Sequence, residues 1–97
     1  MFLGSYKFDG DPDELVSAYE RLVSSIPAEA FEVHLCVVRE NGLTVYDTCP
    51  TRQVFEQFST SPEFARLVAA AGLPTPQVTA LGAVHNLLGS AVKTTIA

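Results

Sequence analysis

The pattern of apolar and polar positions switches repeatedly between the two-residue period of a strand and the roughly 3.6-residue period of a helix. Residues 2–8 alternate loosely, are rich in aromatic side chains and run into Asp9-Gly10, which predicts a strand followed by a turn. Asp11-Pro12-Asp13-Glu14 then supplies a capping carboxylate, a proline for the first helical position and acids in the first turn, so a helix follows. Leu15, Ala18, Tyr19, Leu22, Val23 and Ile26 form its apolar stripe, and Pro27 stops it. Residues 31–39 and 43–49 are rich in β-branched side chains. Glu40-Asn41-Gly42 between them holds the Asn-Gly pair favoured by two-residue type I′ hairpins. Pro50-Thr51 opens a short helix carrying Val54, Phe55 and Phe58, and Ser61-Pro62-Glu63 opens another carrying Phe64, Leu67, Val68 and Ala71 before Gly72-Leu73-Pro74. Residues 77–88 suit a last strand, leaving residues 89–97 as a tail that can serve as an arm at a dimer interface.

A β-α-β-β-α-β order predicts an α+β, ferredoxin-like fold. Its four-stranded antiparallel sheet has the first and third strands in the middle and helices on one face. With 97 residues there is room for one domain, residues 1–97. Composition sharpens the picture of the other face. A chain that is 47% hydrophobic and only 18% charged has more apolar surface than a small monomer readily covers, so some of it is expected between two subunits. The formal charge of −5, without a Lys/Arg cluster, opposes binding to phosphate backbones, and nucleic acid is not an expected partner. No apolar run approaches the ~20 residues that span a bilayer, and Met1 leads straight into the first strand without a signal-type segment. The expected location is cytoplasmic, with no membrane partner. Only Cys36 and Cys49 are present, which excludes a disulfide scaffold.

Candidate chemistry gathers on the hairpin. A two-residue Asn41-Gly42 loop pairs Glu40 with Leu43, Val38 with Val45, Cys36 with Asp47 and His34 with Cys49, so His34, Cys36, Asp47 and Cys49 share one face. The other face carries Phe31, Val33, Leu35, Val37, Thr44, Tyr46 and Thr48 and reads as the packed core surface. Three readings of the polar face compete. A metal site would need three or four of its ligands converging, whereas they lie in a flat patch without Cys-x-x-Cys spacing. A pocket in which His34 acts as base while Asp47 orients it, or Tyr46 adds a hydrogen bond, suits proton abstraction from a phenol or a carbon acid. The plainer reading is a hydrogen-bonded interior histidine among small buried thiols. His85 and Asn86 interrupt the last strand and offer a second polar point, as a ligand contact or as an ordinary dimer rim. Asp9, Asp11, Asp13 and Glu20 have the spacing of a calcium loop, but Glu14 replaces the needed glycine and Pro12 stiffens the turn, so capping explains these acids better.

Several stretches carry a family likeness: Val45-Tyr46-Asp47, Val54-Phe55-Glu56-Gln57-Phe58, Gly72-Leu73-Pro74-Thr75-Pro76-Gln77-Val78 and Val84-His85-Asn86. With the element order, they make nearly the whole chain resemble the dimeric α/β-barrel superfamily, in particular its small actinobacterial members without an assigned substrate. That superfamily includes antibiotic-biosynthesis monooxygenases, haem-degrading monooxygenases, muconolactone isomerases and stress-responsive barrel proteins. The resemblance implies a homodimer whose sheets close a barrel and a pocket between sheet and helices. Haem-degrading members use a pocket tryptophan that this chain lacks, so their mechanism does not carry over, and no cofactor is expected. The expected function is binding of a small apolar or aromatic molecule by Tyr6, Tyr46, Asp47, Phe55, Phe58 and Asn86. The alternatives are a cofactor-independent monooxygenase or isomerase with His34 or His85 as catalytic base, and a non-enzymatic interaction or stress-related dimer.

Overall fold

Strand β1, Phe2–Asp9, is the axis of the fold. In the computed structural model, which describes residues 1–89, it pairs antiparallel with β3 (Gly42–Cys49) on one side and β4 (Gln77–Ala83) on the other. The outer strand β2 (His34–Arg39) completes the order β2-β3-β1-β4. The middle strands are therefore the first and third, as the element order predicts. Three α-helices among the described residues cover one face: α1 (Pro12–Ser24), α2 (Arg52–Ser59) and α3 (Pro62–Ala71). The architecture is α+β and consistent with a ferredoxin-like order.

The helix starts follow from the predicted caps. Asp11 accepts a hydrogen bond from the Glu14 amide at 3.0 Å, Thr51 from that of Val54 at 3.2 Å and Ser61 from that of Phe64 at 3.1 Å. Each satisfies an amide that the first helical turn leaves without an intrahelical acceptor. Two strands are shorter than predicted. β2 begins at His34, three residues after the expected start at Phe31, and β4 ends at Ala83, short of residue 88. Of the anticipated tail arm only Gly89 is described; residues 90–97 lie outside the described residues.

The hairpin differs from the expected register by two residues. Arg39 pairs with Gly42, His34 with Asp47 and Cys36 with Val45, which leaves Glu40-Asn41 as the loop. No described non-glycine residue has a positive φ, so a type I′ turn is not formed. Gly42 is needed in the strand instead. A Cβ there would stand 2.1 Å from the Phe8 carbonyl oxygen and 2.6 Å from Arg39 Nη2, which donates to that same carbonyl at 2.8 Å. A shift of two residues preserves which side chains share a face, so His34, Cys36, Asp47 and Cys49 still stand together.

The larger correction concerns which face is the core. The helices cover the His34 face, and the face carrying Leu35, Val37, Thr44, Tyr46 and Thr48 is open. The pairing of β1 decides this: Phe8 lies opposite Leu43 and Tyr6 opposite Val45, and all four are buried at 5% exposure or less. The alternation of β2 and β3 alone does not distinguish the two faces, and the apolar residues of β1 do. On the open side Leu35 is 57% exposed, Val37 45% and Leu81 49%.

α2 is seated through a missing side chain. Phe55, 1% exposed, packs on the backbone of Gly4, where a Cβ would lie 2.0 Å from its ring. Its centroid lies 5.8 Å from that of Phe2 and 5.7 Å from that of Tyr6. Gly4→Ala is expected to lower the unfolding free energy by about 2–3 kcal/mol through overpacking, read as a shift in the urea midpoint. Adding Phe55→Leu should recover part of that loss, a non-additivity that distant effects would not produce.

Candidate functional site

Cross-strand pairing of His34 with Asp47 places imidazole and carboxylate side by side on the helix-covered face, with Nδ1 and Oδ1 3.1 Å apart. Tyr19, one of the residues in the apolar stripe of α1, comes down from above. Its hydroxyl lies 2.6 Å from His34 Nε2, and the two rings stack with planes 14° apart. A carboxylate only accepts, so Nδ1 carries the proton of the neutral ring and Nε2 accepts from the Tyr19 hydroxyl. The result is a continuous line from Tyr19 through His34 to Asp47. His34 and Asp47 are each 17% exposed at the side chain, and the Phe31 ring leans on the imidazole with centroids 4.4 Å apart.

This line borders a small cleft between sheet and helices. Tyr6, Phe8 and Val45 form its floor, Tyr19, Leu22, Val23 and Ile26 one wall, and Phe58, Phe64 and Leu67 the other, with a volume of about 50 Å³. Among the described residues the Tyr6 hydroxyl has no hydrogen-bond partner, although the residue is only 4% exposed. Its opening on the cleft accounts for both facts. A larger hollow of about 170 Å³ lies between α3 and β4, but its lining from Ser59 to Val78 contains no titratable side chain. Of these two, only the smaller cleft carries titratable side chains.

Burial is the main influence on the titratable groups here. It pushes the Tyr19 phenol up to about 12, helped by negative charge at Cys36, Asp47 and Glu20. It pushes Tyr6 further still, with Asp47 and Cys49 adding to the effect. Both phenols are neutral donors near neutral pH. The Cys36 thiol is raised by burial and then by Glu20, and that of Cys49 by burial and then by Asp47 and Glu32. Neither is an activated nucleophile. No three His, Cys, Asp or Glu residues converge to hold a metal ion among the described residues.

Of the residues singled out in the sequence, His34, Asp47, Tyr6 and Phe58 border the cleft. Phe55 does not; it is sealed beneath α2 on Gly4. Tyr46 stands on the open face opposite Ser5 and Leu35, because its strand alternates away from Asp47. His85 and Asn86 follow the end of β4 and are exposed, away from the cleft. The sequence pattern alone places Tyr19 in the apolar stripe of α1, as a core position. A tyrosine in an otherwise aliphatic stripe needs a partner for its hydroxyl, and that need was the available signal.

No family model matches the chain, and no curated protein and no solved structure matches it. No helix among the described residues is long and apolar enough to cross a membrane.

All four raised groups hold their protons more tightly in the folded chain than in the unfolded one. Their contribution to stability is present below the ordinary values and is lost as pH rises through the folded ones. The window opens near 9.0, the ordinary value of the thiols, and continues towards about 12 for Tyr19. The urea midpoint should fall steadily from about pH 8.5 to about pH 11. Replacing both thiols, Cys36→Ala with Cys49→Ala, should flatten the first part of that fall.

Proposed function

We propose that the chain is a homodimeric α/β-barrel protein that binds a small apolar or aromatic molecule in the cleft beside His34. One observation carries the reading: Tyr6, a residue only 4% exposed, has a hydroxyl without a hydrogen-bond partner among the described residues, and it lines an apolar cleft that already contains a hydrogen-bonded histidine. Ligand sites combine apolar walls with a few convergent polar groups in this way. An engineered cavity of ~150 Å³ accepts benzene, three times the present volume, so a one-ring ligand enters by displacing Phe31 and Ile26. Phe31 belongs to the stretch between α1 and β2, whose regular structure is a single 3₁₀ turn.

The dimer is supported by the open sheet face. Leu35, Val37 and Leu81 are exposed around a centre of buried hydroxyl residues, Ser5, Thr44 and Thr48. A second copy of the same face would cover these side chains and bring two sheets together as a barrel. A cofactor-independent isomerase or monooxygenase is the second reading, and the His34–Asp47 pair favours it because an oriented imidazole is a general base. A dimer that serves only as an interaction or stress-related protein is the remaining alternative. It predicts a cleft that admits nothing.

Titration with phenol, followed by amide and ring resonances, should move signals of Tyr6, Tyr19 and His34. Leu67→Trp, which fills the cleft, should abolish those shifts, and an unmoved spectrum in the parent protein would overturn the binding reading. Sedimentation equilibrium should give a dimer that Leu35→Glu with Val37→Glu converts to a folded monomer. A parent protein that is already monomeric would remove the barrel.

A further inference from the structure

The hydrogen-bond line beside the cleft has a direction, and that direction selects a ligand. Asp47 can only accept, so His34 donates from Nδ1 and accepts at Nε2, and the Tyr19 hydroxyl spends its one proton on that nitrogen at 2.6 Å. What Tyr19 presents to the cleft is its oxygen lone pair. Both imidazole nitrogens are engaged, so His34 does not meet a ligand directly in this arrangement. Tyr6, contributed by β1 where Tyr19 comes from α1, has its hydroxyl proton uncommitted among the described residues and is 4% exposed. The cleft thus offers one acceptor backed by a base, one free donor and walls of Phe8, Phe58 and Phe64.

Resting on the binding reading above, we infer that the cleft selects a small hydroxyl-bearing aromatic or enol and that Tyr19 is the catalytic residue that takes its proton. The ligand hydroxyl donates to Tyr19 Oη and accepts from the Tyr6 hydroxyl, a pairing that an ether or a ketone cannot make. In the proton step the ligand O–H bond breaks and a new O–H bond forms on Tyr19. The original Tyr19 proton passes to His34 Nε2. The products are a bound phenolate or enolate and an imidazolium held by the Asp47 carboxylate, with no change in net charge or oxidation state. His34 and Asp47 are positioning residues that act through Tyr19. The tyrosine need never become a free anion, which its burial opposes. The titratable groups bearing on Tyr19 are His34, Asp47, Cys36 and Glu20, and only His34 can receive the proton along an existing hydrogen bond.

The test compares 4-nitrophenol with 4-nitroanisole, its methyl ether, bound to the full-length protein at a pH about one unit below the point where the free phenol ionises. The phenol should bind about tenfold tighter than the ether, the factor expected of one buried hydrogen-bonded pair. It should also show the visible band of its phenolate when bound. Tyr19→Phe, which keeps the stacked ring, should bring the affinity ratio to about one and abolish the band. His34→Gln keeps an acceptor for Tyr19 but removes the base, so the ratio should survive while the band disappears. Circular dichroism confirms that each variant is folded, and either variant alone suffices for the comparison. Equal affinity for phenol and ether in the parent protein overturns the inference and leaves the cleft as a simple binding site. A preference without the phenolate band overturns the proton step. Failure of both probes to bind overturns the binding reading itself and this inference with it.

Discussion

The rest of the structure depends on the contact between Phe55 and the bare backbone of Gly4. A helix of eight residues has little intrinsic stability and holds its place through what it buries. Here one aromatic ring carries that task, and it can lie flat on the central strand only because nothing projects from Gly4. Once seated, the ring fixes Phe2 and Tyr6 on either side. Tyr6 in turn meets Phe64 with centroids 5.0 Å apart, and Phe64 meets Phe58 at the same separation. A row of rings therefore runs from the middle of the sheet to α3, and its far end forms the cleft. Packing at Gly4 and the placement of Tyr6 at the cleft are one constraint seen from two ends.

Most of the fold was legible in the sequence, because helix caps and apolar stripes are local signals. Asp11, Thr51 and Ser61 each cap where their residue types predict, and the order of elements sufficed to put the first and third strands in the centre. What failed depended on long-range pairing. Asn-Gly is a turn signal, yet the role of Gly42 is to admit the Phe8 carbonyl and the Arg39 guanidinium at the end of β1. The alternation of β2 and β3 is ambiguous about the core face: Leu35 and Val37 are as apolar as a core strand. The decision lay with Phe2, Tyr6 and Phe8 on β1, and their bearing on β3 appears only once the strands are paired.

The site was half legible for the same reason. That His34 and Asp47 share a face follows from parity, which a two-residue slip in register does not disturb. Tyr46 had to be excluded by the same parity, since a residue adjacent to Asp47 points the other way. Tyr19 comes from an element fifteen positions before His34. On a helical wheel its ring is indistinguishable from the Leu22 and Val23 beside it. Only the polar tip of the side chain distinguishes it from core, and its partner is set by how α1 crosses the sheet. His85 and Asn86 drew attention as polar interruptions of an apolar run, but the run itself does not continue as a strand beyond Ala83.

An apolar interior that retains a tyrosine, a histidine and an aspartate in series must satisfy every polar atom or lose stability. Here the line is satisfied at each interior step, and its far end is open to the cleft. Burial keeps the phenols and the thiols protonated, and within this group the imidazole of His34 lies between the Tyr19 hydroxyl and the Asp47 carboxylate. The thiols of Cys36 and Cys49, which share the face, are bystanders that fill space as small hydrophobes. A neutral imidazole has one donor and one acceptor nitrogen, and joining Asp47 to Tyr19 satisfies both. The same arrangement gives the line a direction, because it determines whether the Tyr19 oxygen at its end offers a proton or a lone pair.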